Sequence, residues 1–145
     1  MRVRVNVRVI YGDTDAMGIV YHGNYLRWFE VGRTELFRAL GIVYRDLEAR
    51  GYYLPLTQAY CHYHAPARYD DILVIETSIA EWGRASIRFD YVVWDEGGAK
   101  RLVEGYTHHA FTNAGGRVVR APMEIIALIR DACEPSKDRE EEEEG

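Results

Sequence analysis

The sequence predicts an α+β domain in which a curled antiparallel sheet wraps around one long helix. Three observations carry this: a strictly alternating first segment, one helix apolar on more than one side, and a following run of strands set off by glycine turns. The 145 residues suffice for one domain with a proper core. A hydrophobic share of 48% is ordinary for a globular chain.

Residues 2–10 put Val3, Val5, Val7 and Val9 on one face and Arg2, Arg4, Asn6 and Arg8 on the other, the period of a half-buried strand. Gly12-Asp13 then opens a loop. From Asn24 onward Tyr25, Phe29, Leu36 and Leu40 recur at helical spacing, and Leu26, Trp28, Val31 and Phe37 broaden the stripe. A helix over 25–40 follows, with Asn24 as its N-cap and Gly41 as its stop. Residues 44–50 form a short second helix closed by Gly51. Strands are expected over 56–64, 72–81, 85–94 and 101–112, running as a four-stranded meander through turns at Trp82-Gly83 and Asp95–Gly98. A turn at Asn113–Gly116, a short strand at Arg117–Arg120 and a last helix at about 123–131, with Pro122 at its first position, complete the order. One sheet of this kind has exposed edges, so edge pairing into a homodimer, or a tetramer built from dimers, is expected.

The formal net charge of −5 lies entirely in the last twelve residues, EPSKDREEEEEG, with seven acids against two bases. Residues 1–133 are therefore neutral overall and form the expected domain; 134–145 are expected to be a disordered acidic tail. A neutral body excludes global attraction to nucleic acid or to acidic membranes. It leaves room for a polyanionic small ligand held by a few local arginines. No apolar run approaches the roughly 20 residues of a membrane span. The first ten residues alternate too strictly for a secretory signal, so a cytoplasmic protein is expected. Cys61 and Cys133, without a CxxC, read as free thiols.

The chemistry concentrates in Tyr11–Glu30, YGDTDAMGIVYHGNYLRWFE. Tyr11, Asp13, Asp15 and His22 surround two glycines directly ahead of the helix. A carboxylate here can activate water or attack an acyl carbonyl itself. His22 precedes the helix start, where unpaired backbone N–H groups and the dipole can hold an oxyanion. Gly18 lets the loop fold back. From the residues alone, Asp13 and Asp15 also read as turn acids, His22 as a loop histidine, Tyr11 as a core tyrosine, and Glu30, Arg33 and Glu35 as helix-surface ion pairs.

The run YGDTDAMGIVYHGNYLRWFEVGRTE closely resembles the hotdog-fold acyl-CoA thioesterases of the 4-hydroxybenzoyl-CoA thioesterase and YbgC-like branch, whose pattern is Y-x-D-T-D-x-x-G-x-V-Y-H-x-x-Y-L-x-x-x-E-x-x-R. Tyr11, Asp13, Thr14, Asp15, Gly18, Val20, Tyr21, His22, Tyr25, Leu26, Glu30 and Arg33 all match, and APARYDDILVIET at 65–77 resembles the next block. Gly23 stands where small residues vary in the family. The resemblance implies a hotdog fold over about 3–130 and hydrolysis of a short-to-medium or aromatic acyl-CoA to acid and CoA. Position by position, it implies Asp15 as the catalytic carboxylate, His22 as its companion histidine and Tyr11 as the supporting tyrosine. The backbone N–H at or next to His22 then contacts the thioester carbonyl. Another hotdog branch places its carboxylate on the helix, where Glu30 or Glu35 stands here. Tyr21, Tyr25 and Trp28 are candidates for the acyl end.

No cofactor is expected, since coenzyme A is part of the substrate. Its phosphates need local bases, and Arg68, Arg84 and Ser86 are the candidates, with Arg88 nearby; related enzymes contact the nucleotide at the turn where Arg84 stands. His62 and His64 share one strand face, and His108-His109 lie on another strand. No carboxylate or cysteine pattern of a known zinc spacing accompanies them, so no metal site is expected. An acyl-carrier-protein thioesterase, a non-catalytic acyl-CoA-binding module and, last, a hotdog hydratase are the alternatives.

Overall fold

The computed structural model describes residues 1–133; the acidic tail expected at 134–145 lies outside them. The alternating first segment forms β1 (Arg2–Arg8), its valines half-buried and its polar residues exposed. A single 3-10 turn at Tyr11–Asp13 and a small hairpin lead into α1 (Asn24–Ala39), then α2 (Tyr44–Ala49). Strands β2 (Leu56–Tyr63), β3 (Ile72–Trp82), β4 (Ser86–Asp95) and β5 (Arg101–Ala110) precede α3 (Met123–Cys133).

The five strands make one antiparallel sheet in the order β1-β3-β4-β5-β2. This corrects the expected meander. Only β3, β4 and β5 run as one, because β1 and β4 occupy both sides of β3. The free side of β5 is left for β2, which pairs Tyr60 with Tyr106 and Tyr63 with Val103. β2 therefore forms an open edge, exposed at every residue but Cys61.

α1 lies across the concave face of the sheet, as the breadth of its apolar stripe requires. Tyr25, Trp28, Phe29, Leu36 and Phe37 are all buried. Phe29 stacks on Tyr91 at 4.1 Å and Phe37 meets Phe89 edge-on at 5.3 Å. Each such side chain contributes roughly 1.5–3 kcal/mol by leaving water. Tyr25 and Trp28 are thus core residues. Gly32 marks the closest approach of helix to sheet: a Cβ there would overlap the Thr77 hydroxyl. α3 closes the far end with Ile125 and Ile129.

Three local expectations are corrected. Gly23, not Asn24, is the N-cap of α1. The Asn24 amide donates instead to the Asp13 carbonyl at 2.8 Å, tying the helix start to the loop. The strand expected at Arg117–Arg120 shrinks to a single bridge between Thr112 and Val118. The Ala121 N–H turns away to the Arg84 carbonyl at 2.8 Å, and the chain leaves for α3. Arg33 does not pair with Glu30 or Glu35. Its guanidinium reaches inward beside the hydroxyls of Tyr44 and Tyr91, and Glu35 bonds Arg38 at 3.4 Å. At the other end of α1, Gly41 (φ +85°) does stop the helix; its N–H and that of Ile42 return to Arg38 and Phe37.

Candidate active site

Residues 13–21 form the small hairpin between β1 and α1. Its rungs are Tyr21 N–H to Asp13 carbonyl at 2.8 Å and Asp15 N–H to Ile19 carbonyl at 2.9 Å. Gly18, at φ +78°, closes the turn with its N–H on the Asp15 carbonyl. The outer arm is fixed to the body by Val20 N–H on the Ala67 carbonyl at 2.9 Å.

Asp13 and Asp15 divide the work. Asp13 is buried, with one oxygen accepting from the Ile10 N–H at 3.0 Å and the other from Arg27 at 2.5 Å. It organises the loop. Asp15 is half-buried at the turn, where Oδ1 accepts from the Met17 N–H at 2.8 Å. Among the described residues its Oδ2 has no hydrogen-bond partner, so a basic oxygen is presented to solvent.

His22 is exposed at the base of the hairpin. Its ring packs against Tyr21 at 4.3 Å and meets Tyr63 edge-on at 6.3 Å. The imidazole makes no hydrogen bond among the described residues, to Asp15 or to anything else. The main chain around it is more informative. The His22 carbonyl accepts from the Tyr63 hydroxyl at 3.2 Å and the Tyr25 N–H at 3.4 Å. The N–H groups of His22 and Gly23 have no partner among the described residues. Two adjacent open donors thus sit at the positive end of a 16-residue helix. Behind them Tyr25 is buried, which pushes its phenol up to about 12. Burial also pushes the Cys61 thiol up.

Tyr11 is 72% exposed, so the core reading fails. It stacks on Tyr69 at 3.7 Å, and its hydroxyl bonds neither Asp15 nor His22. Of the helix carboxylates, Glu30 is exposed beside Arg33 and Glu35 is paired with Arg38.

The candidates for coenzyme A separate. Arg68 bridges Ile19 and lies exposed beside the hairpin. Arg84 in the β3–β4 turn and Ser86 at the start of β4 lie at the opposite end of the sheet. There Arg84 lines a cavity of about 650 Å³ with Trp82, Arg120, Met123 and Arg130. Sequence reading missed Arg120 and Arg130, because only the docking of α3 brings them to the turn. Arg88 is elsewhere, bonded to Asp90 at 2.9 Å and lying over the Tyr106 ring.

A carboxylate facing solvent on the hairpin that leads into open backbone donors at a helix start is a set of groups that suits attack on an acyl carbonyl. Comparison with known proteins bears on the family of the chain. The model of the thioesterase superfamily matches residues 17–101. YneP of Bacillus subtilis (strain 168) is 38% identical over 129 residues, 89% of this chain and 81% of its own. The acyl-CoA thioesterase YbgC of Haemophilus influenzae is 42% identical over 86 residues, 58% of this chain and 62% of its own. A solved structure of an aspartate-to-asparagine mutant of 4-hydroxybenzoyl-CoA thioesterase, complexed with 4-hydroxybenzoyl-CoA, is similar with a TM-score of 0.80 at 28% identity, covering 88% of this chain and 98% of that one. With its five-stranded sheet curled around α1, the chain belongs to the thioesterase superfamily and has the hotdog fold.

Proposed function

We propose that this thioesterase hydrolyses an acyl-CoA, short-to-medium or aromatic in its acyl part, using Asp15 and the main chain at His22 and Gly23. The observation that carries the reading is the pair of unpartnered N–H groups at the start of α1. They suit the carbonyl oxygen of a thioester and strengthen their hold as it becomes an oxyanion. One such donor is worth roughly 10²–10³ in rate. Asp15 either takes a proton from the attacking water or attacks the carbonyl carbon itself to form a mixed anhydride that water opens. On either route the C–S bond breaks, CoA leaves as thiolate and gains a proton, and the acid is released. His22 and Tyr11 shape and hydrate the entrance.

The open β2 edge supports a two-fold dimer. Antiparallel pairing of β2 with its copy would turn one chain's Arg84 end toward the other chain's Asp15 end. Arg68 would then hold coenzyme A phosphate from the chain that supplies Asp15, and Arg84 and Ser86 from the other.

Thiol release from a panel of acyl-CoAs tests this. Asp15→Asn is expected to lose at least about 10²-fold, the contribution of a principal acid–base group. Unchanged hydrolysis by the folded variant removes Asp15 from the mechanism. Tight acyl-CoA binding with no release by the wild type would make the chain a binding module instead.

A further inference from the structure

The convex face of the sheet carries a second group of ligating side chains. His62 of β2 stands on the face opposite Tyr63, and His64, one residue past the end of the strand, stacks its ring on that of His62. The register sets Glu104 of β5 directly across from His62. One ring nitrogen from each histidine and one carboxylate oxygen of Glu104 all lie within 4.8 Å of one another. The rings are nearly parallel, 4.2 Å apart. His64 Nε2 is 3.1 Å from Glu104 Oε1, and Arg101 donates to Oε2 at 3.0 Å.

We propose that His62, His64 and Glu104 bind one divalent transition-metal ion of the zinc class per chain. Zinc takes imidazole nitrogen and carboxylate oxygen at about 2.0–2.2 Å in a tetrahedron, which sets neighbouring ligand atoms roughly 3.3 Å apart. His64 and Glu104 already stand at that spacing, and rotation of the exposed His62 ring closes the rest. Arg101 on Oε2 leaves Oε1 for the ion and orients the carboxylate, as outer hydrogen bonds do in metal sites. The backbone under the site is fixed by the β2–β5 ladder, and water completes the coordination. The histidine spacing alone concealed this, because the carboxylate comes from a residue 40 positions away.

The ion would tie the open edge strand to its neighbour immediately behind Tyr63, whose hydroxyl holds the His22 carbonyl. Its role is to stiffen the support of the helix start.

The test uses the untagged full-length chain, stripped with chelator and titrated with Co²⁺ by absorption and with Zn²⁺ by calorimetry. One ion per chain is expected, with the intense visible bands of four-coordinate cobalt and a Tm raised by Zn²⁺. His64→Ala and Glu104→Gln each weaken binding at least about 10-fold, and His62→Ala/His64→Ala abolishes the visible bands. His108→Ala is the control, since its ring packs on Tyr106 outside the cluster. Absence of saturable binding overturns the proposal. So does binding that the double variant leaves undiminished, which would belong to the acidic tail. Circular dichroism confirms that the variants fold.

Discussion

The hairpin ahead of α1 and the His109–Thr107–Tyr91 chain beneath the sheet both hold polar side chains, and they treat them oppositely. Beneath the sheet, His109 donates from Nδ1 to the Leu54 carbonyl at 3.0 Å. That leaves Nε2 to accept from the Thr107 hydroxyl at 2.9 Å, and Thr107 in turn accepts from Tyr91 at 2.6 Å. Every ring atom able to bond does so. In the hairpin, Asp15 and His22 keep open positions, and so does the main chain at His22 and Gly23. Full satisfaction marks a group that builds the fold; open positions beside a helix start mark a place for a ligand. Asp13 and Asp15, two residues apart, fall on either side of this line.

The largest effect expected from breaking the contrast belongs to Asp15→Asn. The predicted loss of at least 100-fold, about 2.7 kcal/mol of barrier, should come with a Tm within about 2 °C of wild type. Next comes acid. Burial lowers the His109 pKa to about 4, against about 6.5 unfolded. Between these values the unfolded chain binds the extra proton. This stability is full above pH 6.5 and is lost as pH falls toward 4, by roughly 2.5 kcal/mol at pH 4.5. Urea unfolding at pH 7.5, 6, 5 and 4.5 should show the decline beginning above the carboxylate range; a flat profile from pH 6.5 to 5 would refute it. Asp13→Asn stands third. It weakens the charge-assisted bond to Arg27, whose own side chain is half-exposed, so about 1–2 kcal/mol is expected. Thermal melts should show a drop of several degrees, with activity lost in step because the hairpin loosens.

Much of this was legible because periodicity survives folding. β1 alternates and α1 carries its stripe as the sequence says they should. What failed depends on partners far along the chain. The place of β2 is decided by which strand side remains free, and no local pattern records that. Glu30 and Arg33 have the spacing of a surface pair, yet Arg33 finds Tyr44 and Tyr91 below the helix. Family resemblance separates Asp15 from Asp13; the structure shows that Asp13 is buried and bonded through both oxygens while Asp15 keeps one oxygen open. The open N–H groups at His22 and Gly23 belong to the backbone and have no letter in the sequence. Glu104 was invisible to His62 and His64 until the register joined their strands.

The smallest effect also tests how the two ends of the sheet cooperate. Arg84→Ala should raise KM for acyl-CoA roughly 3–10-fold and leave kcat nearly intact, because an exposed charge contact is worth about 1 kcal/mol. Arg68→Ala should do the same. Since Arg68 and Arg84 lie at opposite ends of one chain, a shared ligand needs two chains. Mixed dimers of an Asp15→Asn chain with an Arg84→Ala chain settle this. If each site takes Asp15 from one chain and Arg84 from the other, one site carries both lesions and its companion carries neither. The mixed dimer should then show the wild-type KM at half the wild-type kcat. If Arg84 instead serves the Asp15 of its own chain, the only active site lacks the arginine, and KM stays as high as in the single variant.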